Sequence, residues 1–361
     1  MTRPVRARIN LSALTFNLSQ VRRAAPDSRV MAVIKADGYG HGMLMVAGAL
    51  DAADAYAVAS LEEGLQLRAA GVDKPVLLLE GVFDANELNA VVEHRFELVV
   101  HHEGQLGALE VLDVGADLTV WLKVNTGMNR LGFAPDRALD IWDRLADMPA
   151  VAAQRWMSHF ACADEPQHPS NTKQETVFRE LSTQREAPRS LANSAALLTR
   201  PTSHFDWVRP GIMLYGASPM AAGQASPVEL RPVMSLESAL IAVQQCREGD
   251  AVGYGQGWVC PEDMPVGIVA AGYGDGYPRH APSGTPVRVN GQTVPLIGRV
   301  SMDMLCVDLR TRPNAHVGDP VVLWGDGLRV ETIAEAADTI SYALLCGVTS
   351  RVPRLYEPGA D

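Results

Sequence analysis

The chain has 361 residues, 47% hydrophobic and 20% charged, enough to bury one large core or two smaller ones. Its formal net charge of -11 argues against general binding to nucleic acid or anionic membrane, because neither polyanion attracts an acidic protein. The amino terminus, MTRPVRARINLSAL, carries arginines but no apolar stretch of signal-peptide length, and no window approaches the roughly 20 apolar residues of a membrane span, so a cytoplasmic protein is expected.

From residue 8 to about residue 220 two textures alternate. The apolar, β-branched runs VMAVIKA, AYAVAS, KPVLLLEGV, FELVVH, LTVWLKVN, VAAQRWMSHF, RSLANS and FDWVRPGI read as strands buried on both faces. Segments of helical period lie between most of them, among them MLMVAGALDAAD, LEEGLQLRAAG, DANELNAVVEHR, PDRALDIWDRLAD and TKQETVFRELSTQ. Eight strand-like runs in βα alternation predict a parallel closed barrel rather than an open sheet.

After about residue 225 short strands separated by turn residues take over: SLESALIAVQQC, DAVGYGQGW, PVGIVAAGY, TPVRVNGQTVPLIG, MLCVDLR and DPVVLWG. Asn290-Gly291 marks a hairpin, and one helical stretch, VETIAEAADTI, interrupts the strands. The expected fold is α/β: a (β/α)8, TIM-like barrel over 8–225, then a mainly β carboxy-terminal domain over 226–361, with residues 1–7 free to join the latter. The five scattered cysteines, Cys162, Cys246, Cys260, Cys306 and Cys346, show no CxxC spacing and read as reduced thiols, with no metal site.

Barrel active sites lie at the carboxy ends of the strands. The residues there are Lys35, Lys123 with Asn125 and Arg130, His159, Asn193 with Ser194, and Arg209 followed by Gly211. The set is cationic and contains no pair of carboxylates, which speaks against glycosidase chemistry. Lys35 ends an apolar strand, where an ammonium is costly to desolvate. A lysine on the first strand, a serine on the seventh and a Gly-Ile turn after the eighth fit a cofactor with an aldehyde and a phosphate, and pyridoxal 5'-phosphate is the candidate.

The segments IKADGYGHG, KVNTGMNRLGF, SHFACAD, ANSAA, RPGIMLYG, VGYGQGW, AGYGDGYPR, GRVSMDM and SRVPR resemble, in order, the successive signatures of the alanine racemase family, pyridoxal phosphate enzymes with a barrel followed by a β domain. The resemblance implies interconversion of L-alanine and D-alanine by two-base proton transfer on a pyridoxal phosphate aldimine, in a homodimer with shared active sites, for cell-wall supply or alanine catabolism. By it Lys35 binds the cofactor aldehyde and then acts as one acid-base group, and Tyr254, reaching the other subunit's barrel, is the base of the opposite face. His159 and Arg209 resemble the network that helps this phenol ionise, and Arg209 also matches the residue facing the pyridine nitrogen. Tyr39, Ser194, Tyr342, Gly211 and Ile212 match the phosphate cradle.

Arg130 matches the residue that helps bind the substrate carboxylate, and Lys123 a neighbouring lysine that is carbamylated in many members. Asn125 stands where the motif often has aspartate, which removes one potential anion. Met302 resembles a loop that approaches the substrate carboxylate across the dimer, and Tyr273 and Arg279 resemble parts of an entrance corridor. The rival readings are a broad-spectrum racemase, a basic amino-acid decarboxylase, which Arg209 disfavours, and a non-catalytic cofactor carrier, which lacks the β domain.

Overall fold

The computed structural model describes residues 3–357 except 113, 114, 116 and 225. After strand β1 (Arg6–Asn10) come β2 (Arg29–Val33), β3 (Ala55–Val58), β4 (Val76–Leu78), β5 (Glu97–Val100), β6 (Leu118–Lys123), β7 (Val151–Met157), β8 (Arg189–Asn193) and β9 (Trp207–Arg209). Strands β2 to β9 pair in sequence order and close into a parallel barrel, with Arg29 opposite Trp207 and Val30 opposite Val208. Each of the eight apolar runs supplies one barrel strand, and β3 and β4 are buried along their whole length because helices cover their outer face. Helix Ala138–Ala146 shows how: it buries Ala138, Ile141, Trp142 and Leu145, one stripe at helical spacing, and Trp142 stacks on Trp156 of β7 with centroids 4.1 Å apart.

The remaining strands are β10 (Met234–Cys246), β11 (Ala251–Val252), β12 (Trp258–Val259), β13 (Met264–Val269), β14 (Pro286–Val289), β15 (Gln292–Ile297), β16 (Leu305–Asp308), β17 (Pro320–Trp324) and β18 (Arg354–Glu357). Their main sheet runs β13-β16-β15-β14-β17-β10-β1-β18, and β10 also pairs with β13, so six of these strands follow one another around a ring. The Asn290-Gly291 hairpin joins β14 to β15, and both turn residues have positive φ, 49° and 74°, as a two-residue hairpin turn requires.

Three features differ from the sequence reading. Residues 8–10, counted there with the barrel, lie in β1, which pairs with β10 and β18 of the second sheet. Its outward arginines, Arg6 and Arg8, pair with Glu237, while Ala7 and Ile9, which alternate with them, are buried. The segment SYALLC forms a second short helix, Ser341–Cys346, after Val330–Ala336, and RLYE forms β18. The division at residue 225 and the last residues, 358–361, lie outside the described residues. Among the described residues no helix is long and apolar enough to cross a membrane.

Candidate active site

Lys35 leaves the end of β2 and enters a turn with an inverted backbone. Ala36, Asp37, Gly38 and Tyr39 have φ of 53°, 53°, 61° and 53°, a left-handed run in which only one residue is glycine. Local bonds hold it: Gly38 N–H donates to Ile34 O and Gly40 N–H to Ala36 O, each at 2.9 Å, while the Asp37 carboxylate accepts Met43 N–H at 2.8 Å. Arg354 donates to Gly40 O at 2.7 Å, tying the turn to β18. At Gly40, whose φ is 80°, a Cβ would lie 2.3 Å from Leu345 O, so only glycine lets helix Ser341–Cys346 settle on the turn.

The turn places Lys35 and Tyr39 in the wall of one cavity of about 450 Å³ at the carboxy ends of the barrel strands. Lys123, Arg130, His159, Ser194, Arg209, Gly211, Ile212 and Tyr342 share that wall. Gly211 N–H donates to Ser194 Oγ at 2.8 Å, and a Cβ on Gly211 would lie 2.4 Å from the Tyr39 hydroxyl oxygen, so the glycine is what lets the phenol approach. The buried Arg209 guanidinium donates to Ser190 Oγ, to Ser158 O at 2.6 Å and to Leu191 O at 3.4 Å, and meets His159 Nδ1 at 3.2 Å.

Four cationic side chains, Lys35, Lys123, Arg130 and Arg209, face one carboxylate, Glu80. Burial, then Arg209, Arg130 and Lys35, push the Lys123 amine down to about 8, with Glu80 opposing. Burial, then the four cations, hold His159 well below the usual imidazole range, so its ring is neutral. Burial lowers Arg209 to about 10, which leaves it charged at neutral pH. The Tyr39 phenol is raised by burial and then by Tyr342 and Cys346, and Tyr342 is raised to about 12 by burial and Asp164. A cavity with this charge balance suits a ligand carrying more than one negative charge.

Tyr254, Tyr273, Arg279 and Met302 do not line this cavity. All four are exposed, Tyr254 at 67%, and all lie in connections between strands of the carboxy-terminal part, Tyr254 between β11 and β12, which pair as a separate two-stranded sheet. Tyr273 and Met302 are neighbours, since Tyr273 N–H donates to Ser301 O and Gly274 N–H to Met302 O. Sequence reasoning missed Glu80 and Cys346 as cavity residues. Glu80 carried a signal, an acid ending the apolar run VLLL, whereas Cys346 sits on a helix that was not predicted. Asn125 is engaged in its own loop, where its Oδ1 accepts Gly127 N–H at 3.1 Å and Asn129 N–H at 2.9 Å.

Two family models match the chain: "Alanine racemase, N-terminal domain" over residues 9–219 and "Alanine racemase, C-terminal domain" over residues 233–356. The chain belongs to the alanine racemase family. It is an amino-acid racemase, an isomerase. It is similar to alanine racemase of Nitrosococcus oceani, 54% identical over 97% of this chain and 98% of that one. The biosynthetic alanine racemase of Escherichia coli is 50% identical over 96% of this chain and 98% of its own length. Among solved structures, the biosynthetic alanine racemase of Pseudomonas aeruginosa superposes with a TM-score of 0.96 at 47% identity, covering 99% of this chain and all of that one.

Proposed function

We propose that the protein interconverts L-alanine and D-alanine with pyridoxal 5'-phosphate, as a cytosolic homodimer whose relatives' biosynthetic role favours supply of D-alanine for the cell wall. The observation that carries the reading is the gathering of Lys35, Tyr39, Ser194, Arg209 and Gly211 around one cavity with an excess of cations. The donor set fits the cofactor: one amine for an aldehyde, hydroxyls and a glycine cradle for a phosphate, and a charged guanidinium for a ring nitrogen. When bound, the cofactor supplies an aldehyde and a conjugated ring that delocalises the electrons of a broken Cα–H bond.

The chain's own residues do the rest. Tyr39, Ser194, Tyr342 and the backbone of Gly211 and Ile212 would hold the phosphate with neutral donors, leaving the cations for other work. Lys35 would hold or release the proton on one face of the substrate α-carbon. A side chain on one face cannot conveniently serve both, so a second base is needed. Tyr254 fills that role from a second copy, consistent with its exposure and its absence from its own chain's cavity. Neutral His159, its Nδ1 facing Arg209, has an N–H left to stabilise that phenolate.

Arg130 would bind the substrate carboxylate, with the Met302 loop approaching from the second copy and Tyr273 and Arg279 along the access route. Lys123 is assigned as a carbamate: an amine with a pKa of about 8 is partly neutral near pH 7, and the neutral amine adds carbon dioxide with loss of one proton. The anion formed would orient Arg130 and lower the cavity's positive charge.

Cofactor-loaded protein incubated separately with L-alanine and L-lysine, followed by chiral separation, tests the substrate. The reading expects inversion of alanine at least about 100-fold faster than of lysine. Comparable rates would replace it with a broad-spectrum racemase.

A further inference from the structure

We propose that Glu63 is a positioning residue for Lys35, acting through the backbone and touching neither substrate nor cofactor; the inference rests on the reading of Lys35 given above. Glu63 lies in the first turn of helix Leu61–Ala69, which follows β3. Its carboxylate bridges the open ends of the first two barrel strands: Oε1 accepts Ala36 N–H and Oε2 accepts Ala59 N–H, each at 2.7 Å.

Ala36 is the residue immediately after Lys35 and the first of the left-handed run. Inside that run Gly38 and Gly40 find backbone acceptors, but the Ala36 N–H receives its acceptor from Glu63, as the first donor of a right-handed helix does from a capping side chain. Ala36, Asp37 and Tyr39 all carry a Cβ, so the left-handed conformation is one the chain would leave if released. Relaxation at Ala36 rotates the peptide that joins it to Lys35, and a side chain as long as lysine amplifies a small rotation at its root into a displaced amine. The same carboxylate fixes Ala59 at the end of β3, so Lys35 is referred to the barrel itself and not to a mobile loop. Both oxygens are used, which explains why a carboxylate suits the position better than an amide. Glutamine offers one acceptor and turns an NH2 toward an N–H.

The test uses the holoenzyme with Glu63→Ala, Glu63→Gln and, as a control, the exposed neighbour Glu62→Ala. Four quantities are read: kcat, KM for alanine, the fraction of Lys35 fixed to cofactor by borohydride in a set time, mapped by peptide mass, and the melting temperature of the cofactor-free chain. The proposal expects Glu63→Ala to lower kcat by about 10- to 100-fold with KM within about 3-fold, and to lower Lys35 labelling while melting changes little. Glu63→Gln recovers part of both losses, and Glu62→Ala matches the parent. Parental kcat and labelling in Glu63→Ala would overturn the proposal, as would losses in both Glu63 variants that follow melting temperature alone. A parent enzyme that binds cofactor but is not labelled at Lys35 would instead overturn the reading of Lys35.

Discussion

Nη2 of Arg209 lies 3.2 Å from Nδ1 of His159. A guanidinium only donates, so Nδ1 accepts and the ring proton resides on Nε2. Burial, with Arg209 the foremost of four nearby cations, keeps that ring neutral. Nitrogen-15 NMR of the imidazole should therefore show the Nε2–H tautomer, with no titration at the ordinary imidazole value of 6.5. An imidazolium appearing near pH 6.5 would contradict the arrangement.

Arg209 is buried and spends its donors on neutral oxygens and a ring nitrogen. Arg209→Ala should leave Ser158 O and Leu191 O short of donors and lower unfolding stability by about 2–4 kcal/mol in urea titrations. Arg209→Lys should recover only part, because one ammonium cannot span the same set of acceptors.

Lys123 supplies the pH dependence. Its folded pKa is depressed to about 8 from 10.5, so between those values the unfolded chain binds more protons than the folded one and stability rises with pH. For cofactor-free protein stripped of carbon dioxide, denaturant titrations should show that rise between about pH 8 and 10.5, and Lys123→Met should flatten it. Adding bicarbonate to the parent should add the mass of one carbon dioxide and keep the rise, because the unfolded lysine still takes up a proton that the folded carbamate does not.

Shared sites make a statistical prediction. Lys35→Ala and Tyr254→Phe should each lose at least about 100-fold in kcat. Unfolded together and refolded as a mixture, they should regain up to about one quarter of parental activity, since half the dimers are mixed and each of these has one intact site of two. No recovery would mean that both residues act within a single chain.

The barrel was legible because most of its strands are buried on both faces and leave apolar runs, several of them closed by a chemically distinctive residue such as Lys35 or Arg209. Strand β1 was not, because it alternates buried alanine and isoleucine with arginines whose partners, Glu237 and, for Arg8, also Glu357, are distant in sequence. Helix Ser341–Cys346 is too short to show a period, and it covers the cavity through contacts with the Lys35–Tyr39 turn that no local pattern announces. Ten of the expected site residues share one cavity, and these are the ones at strand ends or in the helix that covers them. The inverted backbone after Lys35 and its brace, Glu63, had no signal in residue types, because Ala36 and Asp37 are ordinary right-handed residues by preference.

The measurement closest to the central claim is incubation of the cofactor-loaded protein with L-alanine in heavy water, with chiral separation and mass analysis of the amino acid. The account predicts D-alanine carrying solvent deuterium at the α-carbon. Deuterium in L-alanine without any D-alanine would contradict it, because one face alone would be working and Tyr254 would not be the second base.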